Sequence, residues 1–155
     1  MRLSAIILFF ICGSYLNISA QITGKTLNLL GIWKYDGGSG FEIWEMVGED
    51  LVGSGYRTSK LNDTVKVEDL RISKTKNHLF YTLITHQQTQ QGVKVIEHKF
   101  IGGKRKMFFE NLDADGPNAI KYTFGLFNKD KLSITIEYEG KKKPVKLKLR
   151  RVSAV

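Results

Sequence analysis

A two-residue period runs through this chain, and it decides what the chain can fold into. Leu132, Ile134, Ile136 and Tyr138 alternate with Ser133, Thr135 and Glu137; Val145, Leu147 and Leu149 alternate with Lys146, Lys148 and Arg150. Successive side chains on a strand point to opposite faces, so each segment has one apolar and one wet face. From Gly31 onward, runs rich in Val, Ile, Thr, Phe and Tyr, roughly five to nine residues long, alternate with clusters of Gly, Asn, Asp and Lys. Turns are predicted at Asp36-Gly37-Gly38, Glu49-Asp50, Asn62-Asp63, Lys76-Asn77, Gln87 to Gly92, Gly102-Gly103, Asp113 to Pro117, Asn128-Lys129-Asp130 and Glu139-Gly140. Gly, Asn and Asp tolerate the positive φ of hairpin turns. These nine turns imply ten strands, and the short connections favour antiparallel neighbours. So many strands, each wet on one side, curl or close on themselves. The expected fold is an all-β, antiparallel up-and-down barrel, which removes exposed edges by closure. A β-sandwich is the alternative. Gln21 to Leu30 reads as a lead-in with one helical turn around Leu27 to Leu30.

The first twenty residues stand apart from this pattern. Arg2 is followed by the apolar run Ala5-Ile6-Ile7-Leu8-Phe9-Phe10-Ile11 and then by small and polar residues ending Ile18-Ser19-Ala20. That is the layout of a secretory signal cleaved after Ala20, which leaves residues 21–155 as a single domain, secreted or periplasmic. An N-terminal membrane anchor is the alternative. Cys12 is the one cysteine, with Ile11 rather than a small residue before it, so lipidation is not expected. Without cysteine the mature chain has neither disulfides nor a thiolate and depends on its own core.

The formal charge of the whole chain is +9, and the excess is local. Lys141, Lys142, Lys143, Lys146, Lys148, Arg150 and Arg151 form a cationic stripe with no acid among them. Outward lysines keep a strand soluble and block edge pairing. They also attract anionic surfaces, so contact with a membrane or another anionic partner through Lys141, Lys142, Lys143, Lys146 and Lys148 is the functional alternative. Aromatic interleaving is absent from this stretch, which argues against nucleic acid.

The first strand reads Gly31-Ile32-Trp33-Lys34-Tyr35 and the last ends Leu149-Arg150-Arg151-Val152. This pairing resembles the signature of the calycins, the lipocalin and fatty-acid-binding-protein group of barrels. The resemblance implies that Trp33 packs under a closed barrel end with a late basic residue across its ring. Arg151 continues the inward phase of Val145, Leu147 and Leu149, and Arg150 is the alternative. A guanidinium over an indole is a cation–π contact. Most of the mature chain also resembles a family of secreted bacterial lipocalin-like proteins without an established function. Phe41-Glu42-Ile43-Trp44, Leu51-Val52-Gly53 with Arg57, and Glu68-Asp69-Leu70-Arg71-Ile72 carry this likeness. So does Phe109-Glu110-Asn111-Leu112-Asp113-Ala114-Asp115-Gly116-Pro117, followed by Ile120 and Tyr122. Ala114 and Gly116 stand where that family usually has a His and an aromatic. The resemblance implies a fold and a compartment, not an activity.

Glu42 shares a strand face with Trp44 and Met46, and Glu68 shares one with Leu70 and Ile72. Pointing inward, they would place two carboxylates in the lumen, and burial would raise their pKa unless Arg57 or Arg71 pairs with them. Pointing outward, they would be solvated. The expected ligand-binding set is therefore Glu42, Glu68 and Arg57 as polar anchors, with Trp44, Tyr56, Tyr81 and Tyr122 as aromatic wall. Asn111-x-Asp113-x-Asp115-Gly116 resembles half a calcium loop, but Tyr122 stands where a bidentate Glu is required. His78, His86 and His98 have no metal-ligand spacing, and Gly53-Ser54-Gly55 is not a nucleophile elbow. Neither cofactor nor metal is expected. Small-ligand binding by a monomeric barrel ranks first, and a packed interaction module using the cationic strand ranks second. An enzyme with a lumen carboxylate as acid or base ranks last.

Overall fold

Each apolar face has to be covered, and the chain covers them with one another. The computed structural model describes residues 24–61, 63–86, 93–103, 106–111, 116–140 and 143–153. The leader with Cys12 and Ala20, the Asp113 and Asp115 loop positions, and Lys141 and Lys142 lie outside the described residues.

A short helix, α1 (Gly24–Leu27), leads into ten strands: β1 (Gly31–Tyr35), β2 (Gly40–Val47), β3 (Asp50–Thr58), β4 (Thr64–Thr75), β5 (His78–Thr85), β6 (Lys94–Gly102), β7 (Lys106–Glu110), β8 (Pro117–Phe124), β9 (Lys131–Tyr138) and β10 (Val145–Ser153). Each strand pairs antiparallel with the next, and β1 pairs with β10 to close the barrel. The fold is thus the up-and-down barrel expected from the two-residue period, and the sandwich is excluded. The helical turn lies earlier than the sequence suggests; tight-turn bonds from Asn28 to Lys25, Leu29 to Thr26 and Leu30 to Leu27 carry it on to β1.

Two ends follow from the register. Gly31 is opposite Trp44 and Leu51 is opposite Ile72, which puts the starts of β1, β3 and β5 at one end. The segment from α1 to Leu30 crosses that end, and Lys25 Nζ donates to Gly103 O at 2.9 Å in the β6–β7 turn. Above it Trp33, Trp44, Leu51, Ile72, Leu79, Met107, Phe109, Tyr122 and Leu132 are fully or almost fully buried. Inward residues toward the other end, Leu83, Ile136 and Leu147, are only half-buried against this core. The lumen is filled near the closed end and its lining is less completely covered toward the other.

In the β4–β5 turn Lys76 has φ 52°, the left-handed region that disfavours a side chain with a Cβ. Lys76→Gly relieves that cost against glycine's greater unfolded-state entropy. A stability gain of up to about 1 kcal/mol is expected in urea unfolding, and an unchanged or lower midpoint would contradict it.

Candidate functional site

The closed end is built from Trp33 outward. Trp33 and Arg151 face each other across the β1–β10 pair, and the guanidinium carbon stands 4.4 Å from the indole centroid. Trp33 Nε1 donates to Leu29 O at 2.6 Å. Arg151 Nη1 donates to Leu30 O and Nη2 to Asn28 O at 2.7 Å, while Nε lies 3.0 Å from Asp130 Oδ1. One guanidinium therefore satisfies the carbonyls at the end of the crossing segment and lies over the ring beneath it. Arg150, the alternative, faces the outer wall with Asp36 at 3.6 Å.

The polar centre lies on one cross-strand row. Trp33, Glu42, Gly55 and Glu68 are successive partners across β1, β2, β3 and β4. Glu42 is 2% exposed. Tyr35 Oη donates to its Oε1 at 2.6 Å, and Trp44 Nε1 donates to its Oε2 at 2.8 Å. Burial pushes the Glu42 pKa up, and the two donors only partly offset this. Burial and the neighbouring Glu42 push Glu68 up to about 7, against the pull of Arg57.

Two glycines make this arrangement possible. A Cβ on Gly53 would lie 2.8 Å from the Trp44 ring, and one on Gly55 would fall inside the Glu68 side chain. Gly53-Ser54-Gly55 thus does packing work: both glycines face inward, and each receives a large side chain from a neighbouring strand. Arg57, opposite Gly40, is exposed at the rim. Arg71 serves the outer wall, 3.2 Å from Asp50.

Of the remaining expected wall residues, Trp44, Tyr81 and Tyr122 are buried in the filled middle of the lumen. The two tyrosine hydroxyls are 3.1 Å apart, and the Trp44 and Tyr122 rings meet edge to face. Burial pushes both tyrosines well above their ordinary pKa. Tyr56 is a correction: it is not on the lumen wall. It stacks on Phe41 at 4.9 Å on the outer face, because Gly53 and Gly55 take the inward phase of β3.

Sequence reasoning missed Tyr35 and His98. Tyr35 is in phase with Trp33, and that signal was available. His98 is in phase with Ile96 and is fully buried beside Tyr81, with ring centroids 5.9 Å apart. Its Nε2 donates to Pro117 O at 2.8 Å, and burial holds its pKa below the usual range, which leaves a neutral ring. Nδ1 has no hydrogen-bond partner among the described residues. His86 is exposed and reaches Asp69 at 2.6 Å; His78 is exposed against Phe80. Among the described residues, no three His, Asp or Glu side chains cluster as a metal site would.

The arrangement can therefore do two things. Its half-buried upper wall can cover an apolar body, and Glu68 can give or accept a hydrogen bond at neutral pH. No protein-family model matches the chain, and no curated protein matches it.

Proposed function

We propose that the chain is an exported, lipocalin-like binding protein of the calycin type. It holds a small, partly apolar ligand in the open half of its lumen. Export follows from the leader expected over residues 1–20, and the calycin assignment from the Trp33–Arg151 pairing. One observation carries the binding reading: the segment from α1 to Leu30 plugs one end of the barrel, while Glu68, Leu83, Ile136 and Leu147 toward the other are only partly buried. In this reading Leu83, Ile136 and Leu147 cover the ligand body, and Glu68 and Arg57 meet its polar group. Glu42, Trp44, Tyr81 and Tyr122 act as the rigid bed beneath.

The test uses the exported protein in native mass spectrometry, together with the fluorescence of added 1-aminonaphthalene. A co-purifying small mass and a fluorescence rise are expected. Leu147→Trp, which fills the mouth, should abolish both. Neither a retained mass nor any fluorescence change in the wild type would end the proposal.

A second reading has its own support. Lys146 and Lys148 lie exposed on the outer face of β10, with no ion-pair partner among the described residues. In that reading β10 docks on an anionic partner and the lumen is structural.

A further inference from the structure

The closed end carries an apolar tip that the barrel does not use. In the β8–β9 connection, Leu126 is 67% and Phe127 96% exposed. Among the described residues no other Phe, Tyr or Trp ring is exposed. An aromatic left in water at a loop tip gains nothing for folding, since it buries no area.

Cationic grooves flank this tip on both sides. Toward β7, a groove of about 360 Å³ is lined by Lys25, Lys106 and Lys129 together with Leu126. Toward β10, a groove of about 400 Å³ is lined by Lys131, Lys148 and Arg150, with the hydroxyl residues Thr123 and Ser133. Thr123, Ser133 and Lys148 form one cross-strand row on the outer wall. Among the described residues, the acids beside the grooves are already engaged: Asp130 with Arg151 at 3.0 Å and Asp36 with Arg150 at 3.6 Å. Among the described residues, Lys106, Lys129, Lys131 and Lys148 around the tip have no ion-pair partner.

These two features call for one occupant. A free phosphate or an acidic sugar would satisfy the lysines and leave Phe127 in water. A neutral apolar partner would cover Phe127 and leave the lysines without counter-charge. A bilayer with anionic headgroups does both: its interface takes amphipathic tips, and its surface charge attracts lysine. We propose that the closed end docks on an anionic phospholipid bilayer, with Leu126 and Phe127 entering the headgroup–acyl boundary and the flanking grooves receiving lipid phosphates. The inference stands whether or not the lumen carries a ligand. It also moves the membrane contact from the lysine stripe itself to the closed end of the barrel, which leaves the mouth facing the aqueous phase.

The test is sedimentation of the purified protein with phosphatidylglycerol-containing vesicles and with pure phosphatidylcholine vesicles. Binding is expected to the first, weakening as salt rises, and little to the second. Phe127→Trp should show a blue-shifted emission only with the anionic vesicles. Leu126→Asn combined with Phe127→Asn should weaken binding by at least about tenfold while leaving Tm unchanged, because both side chains are exposed. Lys106→Glu with Lys129→Glu should weaken binding and flatten its salt dependence. Absence of binding, equal binding to both vesicles, or binding indifferent to Leu126 and Phe127 would overturn the proposal. So would competition by inorganic phosphate with no emission shift, which would assign the grooves to a free anion.

Discussion

Gly53→Ala is expected to cost about 3–5 kcal/mol of stability, a large share of what a domain of this size has. The new methyl would meet three atoms of the Trp44 ring at 2.8–2.9 Å. That ring has nowhere to go: it is fully buried, it meets Tyr122 edge to face, and its Nε1 holds Glu42. If the indole shifts, Glu42 loses a donor inside the barrel, and a buried acceptor left unpaired adds its own penalty. Calorimetry should show Tm falling by on the order of 10 °C. Adding Trp44→Leu should make the two changes less than additive, because the second removes what the first collides with. A Gly53→Ala protein melting within about 2 °C of the wild type would contradict this account of the glycine.

The second large effect is a pH dependence with a defined sign. Glu68 titrates at about 7 in the folded protein, against an ordinary 4.5. Between those values the folded chain keeps a proton that the unfolded chain has released. Stability contributed by this group is therefore greatest below about pH 4.5 and falls as pH rises to about 7. The ceiling is about 3 kcal/mol. Glu42, also pushed up, acts in the same direction. His98, with its pKa held down, acts in the opposite direction below its ordinary 6.5. Comparing wild type with Glu68→Gln cancels the His98 contribution, and loss of the Glu68 charge eases ionisation of the coupled Glu42, which keeps the sign of the difference. The variant should match the wild type near pH 5 and exceed it by about 2–3 kcal/mol at pH 8 in urea unfolding. Parallel curves across that range would mean Glu68 is solvated rather than held over Gly55.

The barrel was legible because its signal is local. Leu132 to Tyr138 and Val145 to Leu149 each show their inward face within one strand, and the turn residues mark where strands end. The polar row was only half legible. Glu42 and Glu68 lie some twenty-five residues apart in sequence, and only the register of β2, β3 and β4 brings them to either side of Gly55. A register cannot be read from one strand at a time. Tyr56 was misplaced for a related reason. Its size suits a wall, but Leu51, Gly53 and Gly55 hold the inward positions of β3 and its phase turns it outward. Glycine carries no hydropathy signal, so the strand that makes room for Trp44 and Glu68 looked featureless. Leu126 and Phe127 carry no pattern in the sequence, because they adjoin the Asn128-Lys129-Asp130 turn and fall outside any alternating run.

The pairing of β1 with β10 also bears on the order in which the strands are joined. Ile32 stands opposite Ser153, so the beginning and end of the barrel are neighbours in space. A short linker between them, with the chain reopened at the Glu139-Gly140 turn, would leave every strand with the partners it has now. The architecture is thus a ring without a privileged starting point, open to circular permutation, and the strand that happens to come first owes its place to the gene rather than to the packing.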